Sequence, residues 1–172
     1  MSFFSMIKKA IVSNNIREVH HLVRMRSKSP RIFKLFFSTL IRAYGFDLPL
    51  SVKIGKNVVF AHNCMGSVIL ENTVLEDSVI LFHNVTLARR DVYLRKPKDS
   101  LPPAKFVIKE HAMICTGAII LLCPDDYTLV VGRNSVVGAG SVLTHSIGDN
   151  EMWAGNPARL VKRWNGQEWV KA

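Results

Sequence analysis

Aliphatic residues recur in this 172-residue chain on a six-residue beat. The beat runs through Ile54 and Phe60, then Ile69, Leu75, Leu81 and Leu87. It resumes at Ile108, Ile114 and Ile120, and again at Val131, Val137 and Leu143. Four residues after most of these stands a small or β-branched side chain: Thr73, Val79, Val85, Ala112, Ala118, Ser135 and Ser141. Neither a 3.6-residue helical period nor strand alternation produces a period of six. A hexapeptide repeat is the mark of a parallel β-helix. Each unit makes one short strand and one corner, and successive coils stack by backbone hydrogen bonds ~4.8 Å apart.

Two interruptions break the beat. The longer, Ala88 to Val107, carries Arg89, Arg90, three prolines and several lysines. A loop of that length inside a solenoid is usually functional or disordered. The shorter, Leu121 to Val130, reads as a surface bulge at a corner. Before the repeats, residues 3–26 and 31–44 read as two helices parted by Ser29-Pro30, with Gly45 as a C-cap. The domain plan is a basic helical segment at 1–46, a β-helix at 47–163 with its loop at 88–107, and a C-terminal cap at 164–172. Solenoid ends need such caps, because terminal coils expose apolar area and free strand edges.

Charge sits at one end. Residues 1–44 hold nine Lys or Arg against Glu18 alone, so this segment carries +8 of the formal +10. No nucleic-acid-binding motif accompanies it. Large apolar residues are interleaved with it, including Phe3, Phe4, Ile32, Phe33, Leu35 and Phe36. That mixture suits an interfacial helix on anionic lipid, or alternatively a cap packed on the coils. No secretory signal and no apolar run of ~20 residues is visible. The expected location is cytoplasmic, with peripheral contact at the inner membrane face through residues 1–44. Cys64, Cys115 and Cys123 lack zinc-like spacing and read as reduced thiols. No metal set is evident.

The period also places two histidines. His62 follows Phe60 by two residues, as His83 follows Leu81. Their separation of 21 residues is one 18-residue coil plus a three-residue irregularity between Phe60 and Ile69. The two imidazoles are therefore expected on one face, in adjacent coils. His20 and His21 read as surface residues of the basic helix.

Three segments carry a family resemblance. Val137-Gly138-Ala139-Gly140-Ser141-Val142 resembles the closing repeat of the hexapeptide acyltransferases. Ala154-Gly155-Asn156-Pro157-Ala158 through Lys162 resembles the stretch that borders their coenzyme A site. Gly45-Phe46-Asp47-Leu48, Phe60-Ala61-His62-Asn63 and Asn84-Val85-Thr86-Leu87 resemble the serine acetyltransferase branch. The resemblance spans roughly Gly45 to Lys162. It implies a mainly β fold: a left-handed parallel β-helix with a short helical N-terminal segment and a protruding loop. It also implies a homotrimer with each active site between the β-helices of two adjacent subunits, and acetyl-CoA as co-substrate without a metal.

The resemblance makes His62 the catalytic base and Asp47 its carboxylate partner. Chemistry agrees, since acetyl transfer from a thioester needs a base for the acceptor, and imidazole titrates near working pH. A carboxylate on the second ring nitrogen steadies the imidazolium. His83 is a third candidate, placed to orient the acceptor. Candidate coenzyme A contacts are Ala88, Gly117, Ala118, Ala139 and Gly140 along the pantetheine arm, with Lys162 and Arg163 for the phosphates. Arg89 and Arg90 are candidate acceptor contacts.

Two positions depart from the serine acetyltransferase pattern. The residue before the histidine is Ala61 where an acid is expected, and the stretch 88–106 holds no histidine. With those departures the chain is most similar in character to the O-acetyltransferases of capsule, lipopolysaccharide and exopolysaccharide assembly. That resemblance implies a sugar hydroxyl of a cell-surface polysaccharide or its precursor as the expected acceptor. The alternatives are serine O-acetylation and a non-catalytic membrane-surface scaffold.

Overall fold

The computed structural model describes residues 18–90, 103–122 and 127–172. The helical expectation for residues 3–17 and the centres of both interruptions lie outside these. Twelve short strands and two antiparallel ones wind around an aliphatic interior. The strands are β1 (Lys53–Ile54), β2 (Val59–Phe60), β3 (Val74–Leu75), β4 (Ile80–Leu81), β5 (Thr86–Arg89), β6 (Lys105–Ile108) and β7 (Met113–Ile114). They continue as β8 (Ile119–Leu122), β9 (Thr128–Val131), β10 (Val136–Val137), β11 (Val142–Leu143), β12 (Glu151–Ala154), β13 (Arg159–Trp164) and β14 (Trp169–Lys171).

Three faces result. One is β1-β3-β6-β9, the second β2-β4-β7-β10-β12 followed by β13 and β14, and the third β5-β8-β11. Pairing is parallel through β12 and antiparallel from β12 to β14. Strand neighbours lie a whole coil apart in sequence, which is what a six-residue repeat on three faces requires. Phe60 stacks under Leu81, Leu81 under Ile114, Ile114 under Val137, and Val137 under Trp153.

Eleven of the twelve aliphatic beat positions are buried; Ile54, in the terminal coil, is partly exposed. All seven of the small or β-branched residues are buried too. Inward side chains thus alternate large and small, which lets each coil fill a narrow triangular section. The corners use left-handed backbone, mostly at asparagine and glycine, the residues that tolerate it.

Helices α1 (Glu18–Lys28) and α2 (Arg31–Ala43) close the N-terminal end. Gly45, at φ +74°, ends α2 and donates from its N–H to Arg42 O at 2.8 Å. Val19, Leu22, Val23, Phe37 and Ile41 join the same core as the coils. The helices therefore act as a cap, as one sequence expectation had it. Arg26 leaves the set of basic residues offered to lipid. It is 5% exposed, and its guanidinium donates to Leu48 O at 2.7 Å and Ser38 Oγ at 3.3 Å. Burial lowers its pKa. At the other end, β13 and β14 cover the last coil as an antiparallel meander. No helix among the described residues is long and apolar enough to cross a membrane.

Candidate active site

The irregularity between Phe60 and Ile69 is the corner Ala61–Cys64, and it carries His62. Three successive residues there are left-handed: His62 at φ 52°, Asn63 at 56° and Cys64 at 48°. Such conformations cost roughly 1–3 kcal/mol each in a non-glycine residue and persist only where the surroundings over-determine them. Here they do. Phe60 N–H donates to His20 Nε2 at 2.8 Å, and Val19 N–H to Asn63 Oδ1 at 3.4 Å. Cys64 Sγ donates to Leu81 O at 3.3 Å, and Ser67 N–H to Cys64 O at 3.0 Å. Gly66 follows at φ +71°, where an added Cβ would collide with the Asn84 side chain. The extra residues bow the chain outward and leave His62 exposed.

His62 and His83 meet as the period requires. Their ring centroids are 5.1 Å apart and nearly perpendicular. Phe82 stands 6.3 Å from His62 on the same side. His83 Nδ1 is buried and has no hydrogen-bond partner among the described residues. Such an orphan is uncommon unless a site has a use for it.

Asp47 stands differently. Its carboxylate accepts from Arg42 at 2.9 Å, and no hydrogen bond or ion pair joins it to His62 among the described residues. Its backbone bridges to Val68 in the coil that follows the corner. The Arg42–Asp47 pair is largely exposed on both sides. Such pairs contribute little, so Arg42 does not lock the carboxylate away from an imidazole.

Of the coenzyme A candidates, Gly117 and Gly140 stack, with the Gly117 Cβ position 3.8 Å from Gly140 N. Ala139 and Gly140 are exposed beside them. Ala118 is not on that surface: its side chain is 0% exposed inside the coil, and its N–H is taken by Cys115 O. The small interior slot that makes the repeat also turns this alanine inward. Ala88 pairs with Leu121 on the third face. Lys162 and Arg163 lie exposed on β13, with Arg163 3.5 Å from Glu151. Arg89 is half-buried at the end of β5, and Arg90 is exposed just beyond it.

His111 and His145 are occupied elsewhere, by Glu110 and by the Trp153 ring. Cys64 is no nucleophile. Burial pushes its thiol up to about 12, so the reactive thiolate is scarce at neutral pH. Iodoacetamide is expected to leave Cys64 unmodified in the folded protein and to alkylate it after unfolding. Peptide mapping checks this, and labelling of native Cys64 would contradict the buried position. Among the described residues no group of three His, Cys, Asp or Glu could hold a metal ion.

The sequence reading missed His20. Set in a basic helix it looked superficial, but it is half-buried, with its ring 5.3 Å from Phe60. Its Nε2 holds the backbone two residues before His62. The His20→Phe variant keeps the ring contact and removes the acceptor, leaving Phe60 N–H unpaired at a cost of ~1–3 kcal/mol. The expected result is a fall in kcat with little change in KM. His20→Gln, which retains an acceptor, should recover most of it. Equal loss in both variants would contradict the hydrogen bond's role.

The chain resembles known proteins over most of its length. It is 31% identical over 152 residues to a Bacillus subtilis protein named serine acetyltransferase, covering 88% of this chain and 59% of that one. It is 37% identical over 121 residues to a Schizosaccharomyces pombe protein given the same name provisionally, covering 69% and 39%. The solved serine acetyltransferase of Brucella abortus superposes with a TM-score of 0.64 at 25% identity, covering 85% of this chain and 55% of that one. The chain is a homologue of the serine acetyltransferases. No family model matches it. It spans only 39% to 59% of the length of these curated relatives. The shared fold is the left-handed hexapeptide-repeat β-helix expected from the motifs.

These relatives correct the expected acceptor. A sugar hydroxyl was inferred from two missing side chains, the acid at Ala61 and a histidine in 88–106. The homologues are named for serine, which leaves the sugar reading without support and favours its serine alternative. The physical weakness of the first inference is plain: an absent side chain shows that a contact is not made one way, not that another acceptor is bound.

Proposed function

We propose that this chain transfers the acetyl group of acetyl-CoA to the hydroxyl of serine, with His62 as general base. The observation that carries the reading is the His62–His83 pair, 5.1 Å apart on an exposed corner of a serine acetyltransferase homologue. In the reaction, an imidazole nitrogen of His62 takes the serine Oγ proton as that oxygen attacks the thioester carbonyl. The tetrahedral oxyanion collapses, the C–S bond breaks, and the imidazolium returns its proton to the leaving CoA thiolate. Atoms balance without a covalent acyl-enzyme. Asp47 would steady the imidazolium after exchanging Arg42 for the ring. His83 would supply the second imidazole to the acceptor, taking the place of the missing loop histidine.

Acetyl-CoA would lie along Gly117, Ala139 and Gly140, with Lys162 and Arg163 towards its phosphates. Arg89 and Arg90 suit the serine carboxylate, which a guanidinium can bind through paired hydrogen bonds. A homotrimer, with the neighbouring copy completing the cleft, is part of this reading. Sedimentation of the active protein should give three chains per particle, and a stable active monomer would contradict that. The substrate is tested by incubating the purified protein with acetyl-CoA and L-serine. Thiol release and O-acetylserine, measured by mass spectrometry, should appear in equal amounts. Thiol release without the acetylated product would overturn serine as acceptor.

A further inference from the structure

A groove of about 720 Å³ lies between α1, α2 and the first coil. Arg24 and Lys34 reach it from the helices and Lys56 from the corner after β1. None of these three forms an ion pair among the described residues. Among the described side chains no Asp or Glu lines the groove, and the sequence of residues 1–17 contains neither. The nearby acids Glu76, Asp77 and Glu110 line an adjoining groove that shares Ile54 and Gly55 with this one, and Asp77 is engaged by the Lys56 backbone N–H at 2.8 Å. The buried Arg26 adds a fourth positive charge behind the wall. The floor is apolar, from Leu50, Val52 and Phe60.

We infer that this groove binds a phosphate-bearing ligand with an apolar body. Three cations that line one groove and form no ion pair among the described residues repel one another, and low-dielectric walls focus their field on the space between them. A dianionic phosphate removes that repulsion and accepts several charge-assisted hydrogen bonds. The apolar floor takes the remainder of the molecule. Two sources share this chemistry, a soluble phosphate ester and an anionic lipid headgroup. The site is distinct from Lys162 and Arg163. Those lie on β13, five strand positions from β2 across one sheet, or about 24 Å at ~4.8 Å per strand.

The test uses the full chain and binding as its readout, so it stands whether or not serine is the acceptor. Calorimetric titration with sodium pyrophosphate at low salt, with saturating CoA present to fill the cofactor surface, should show one saturable site per chain that weakens as salt rises. The double variant Lys34→Gln/Lys56→Gln should weaken binding by about tenfold or more, since two charge-assisted contacts are lost. Its circular dichroism and turnover should be unchanged. Lys162→Gln/Arg163→Gln should leave pyrophosphate binding intact. Sedimentation with phosphatidic acid vesicles, against phosphatidylcholine alone, identifies the source. Binding of vesicles that the Lys34/Lys56 variant loses indicates a headgroup; pyrophosphate binding without it indicates a soluble ester. Absence of both, binding that the Lys34/Lys56 variant retains, or binding that the Lys162/Arg163 variant abolishes would overturn the site.

Discussion

Replacing His62 with alanine is expected to lower kcat by about 10²–10⁴-fold, the usual cost of losing a general base. The fold should survive. The side chain is exposed and makes no hydrogen bond among the described residues; the corner is held through the Asn63 side chain, the Phe60 N–H and the Cys64 thiol. Acetyl-CoA binding should also survive, because Gly117, Ala139 and Gly140 lie in later coils. The expected pattern is therefore a large fall in kcat with a nearly constant KM for acetyl-CoA. Asp47→Ala should cost less, since a carboxylate that orients the ring does not itself move the proton. The Arg42 pairing sharpens that expectation. Arg42→Ala frees Asp47 at the loss of only a surface pair, and should leave turnover near normal or raise it. If His62→Ala retained near-normal kcat, His83 would take the assignment, its ring lying 5.1 Å from that of His62.

Much of this architecture was legible because a solenoid is a one-dimensional problem. Each coil contacts only its neighbours, so a beat in the sequence becomes a stack in space. The 21-residue spacing of His62 and His83 translated directly into adjacent rings. The three-residue excess located the irregular corner before its left-handed backbone was seen. What the period could not carry is any contact that leaves it. His20 touches Phe60 across 40 residues of sequence, and nothing in a basic amphipathic helix distinguishes that histidine from the exposed His21. Arg26 was counted with the surface charge, although Leu48 O and Ser38 Oγ hold it inside. Ala118 shows the converse: the same small residue serves as an interior slot or as a ligand-facing surface, and only its phase in the coil tells which. The acceptor was the least legible feature. It is chosen by loops and corners, where a missing acid at Ala61 has no unique meaning.

Nearest-neighbour coupling also sets the second large effect. Leu81→Ala is expected to cost about 2–5 kcal/mol of stability, through lost transfer energy and the cavity left behind. Leu81 is fully buried, stacked between Phe60 and Ile114, and its carbonyl accepts from Cys64 Sγ. A cavity there falls in the paired strands of Phe60 and Leu81, each two residues ahead of one of the two histidines. Leu143→Ala removes an equally buried leucine, but in the last coils, paired with Ile120 and three residues after Gly140. Its stability cost should fall in the same range. The functional consequences should differ, because strain in a solenoid is passed mainly to adjacent coils. At temperatures where both variants remain folded, Leu81→Ala should lower kcat, while Leu143→Ala should chiefly raise the KM for acetyl-CoA. Urea titration gives the stabilities and steady-state kinetics the split. Matching changes in kcat and KM for the two variants would mean that the coils respond as one rigid body, and the placement of base and cofactor in separate coils would then lose its support.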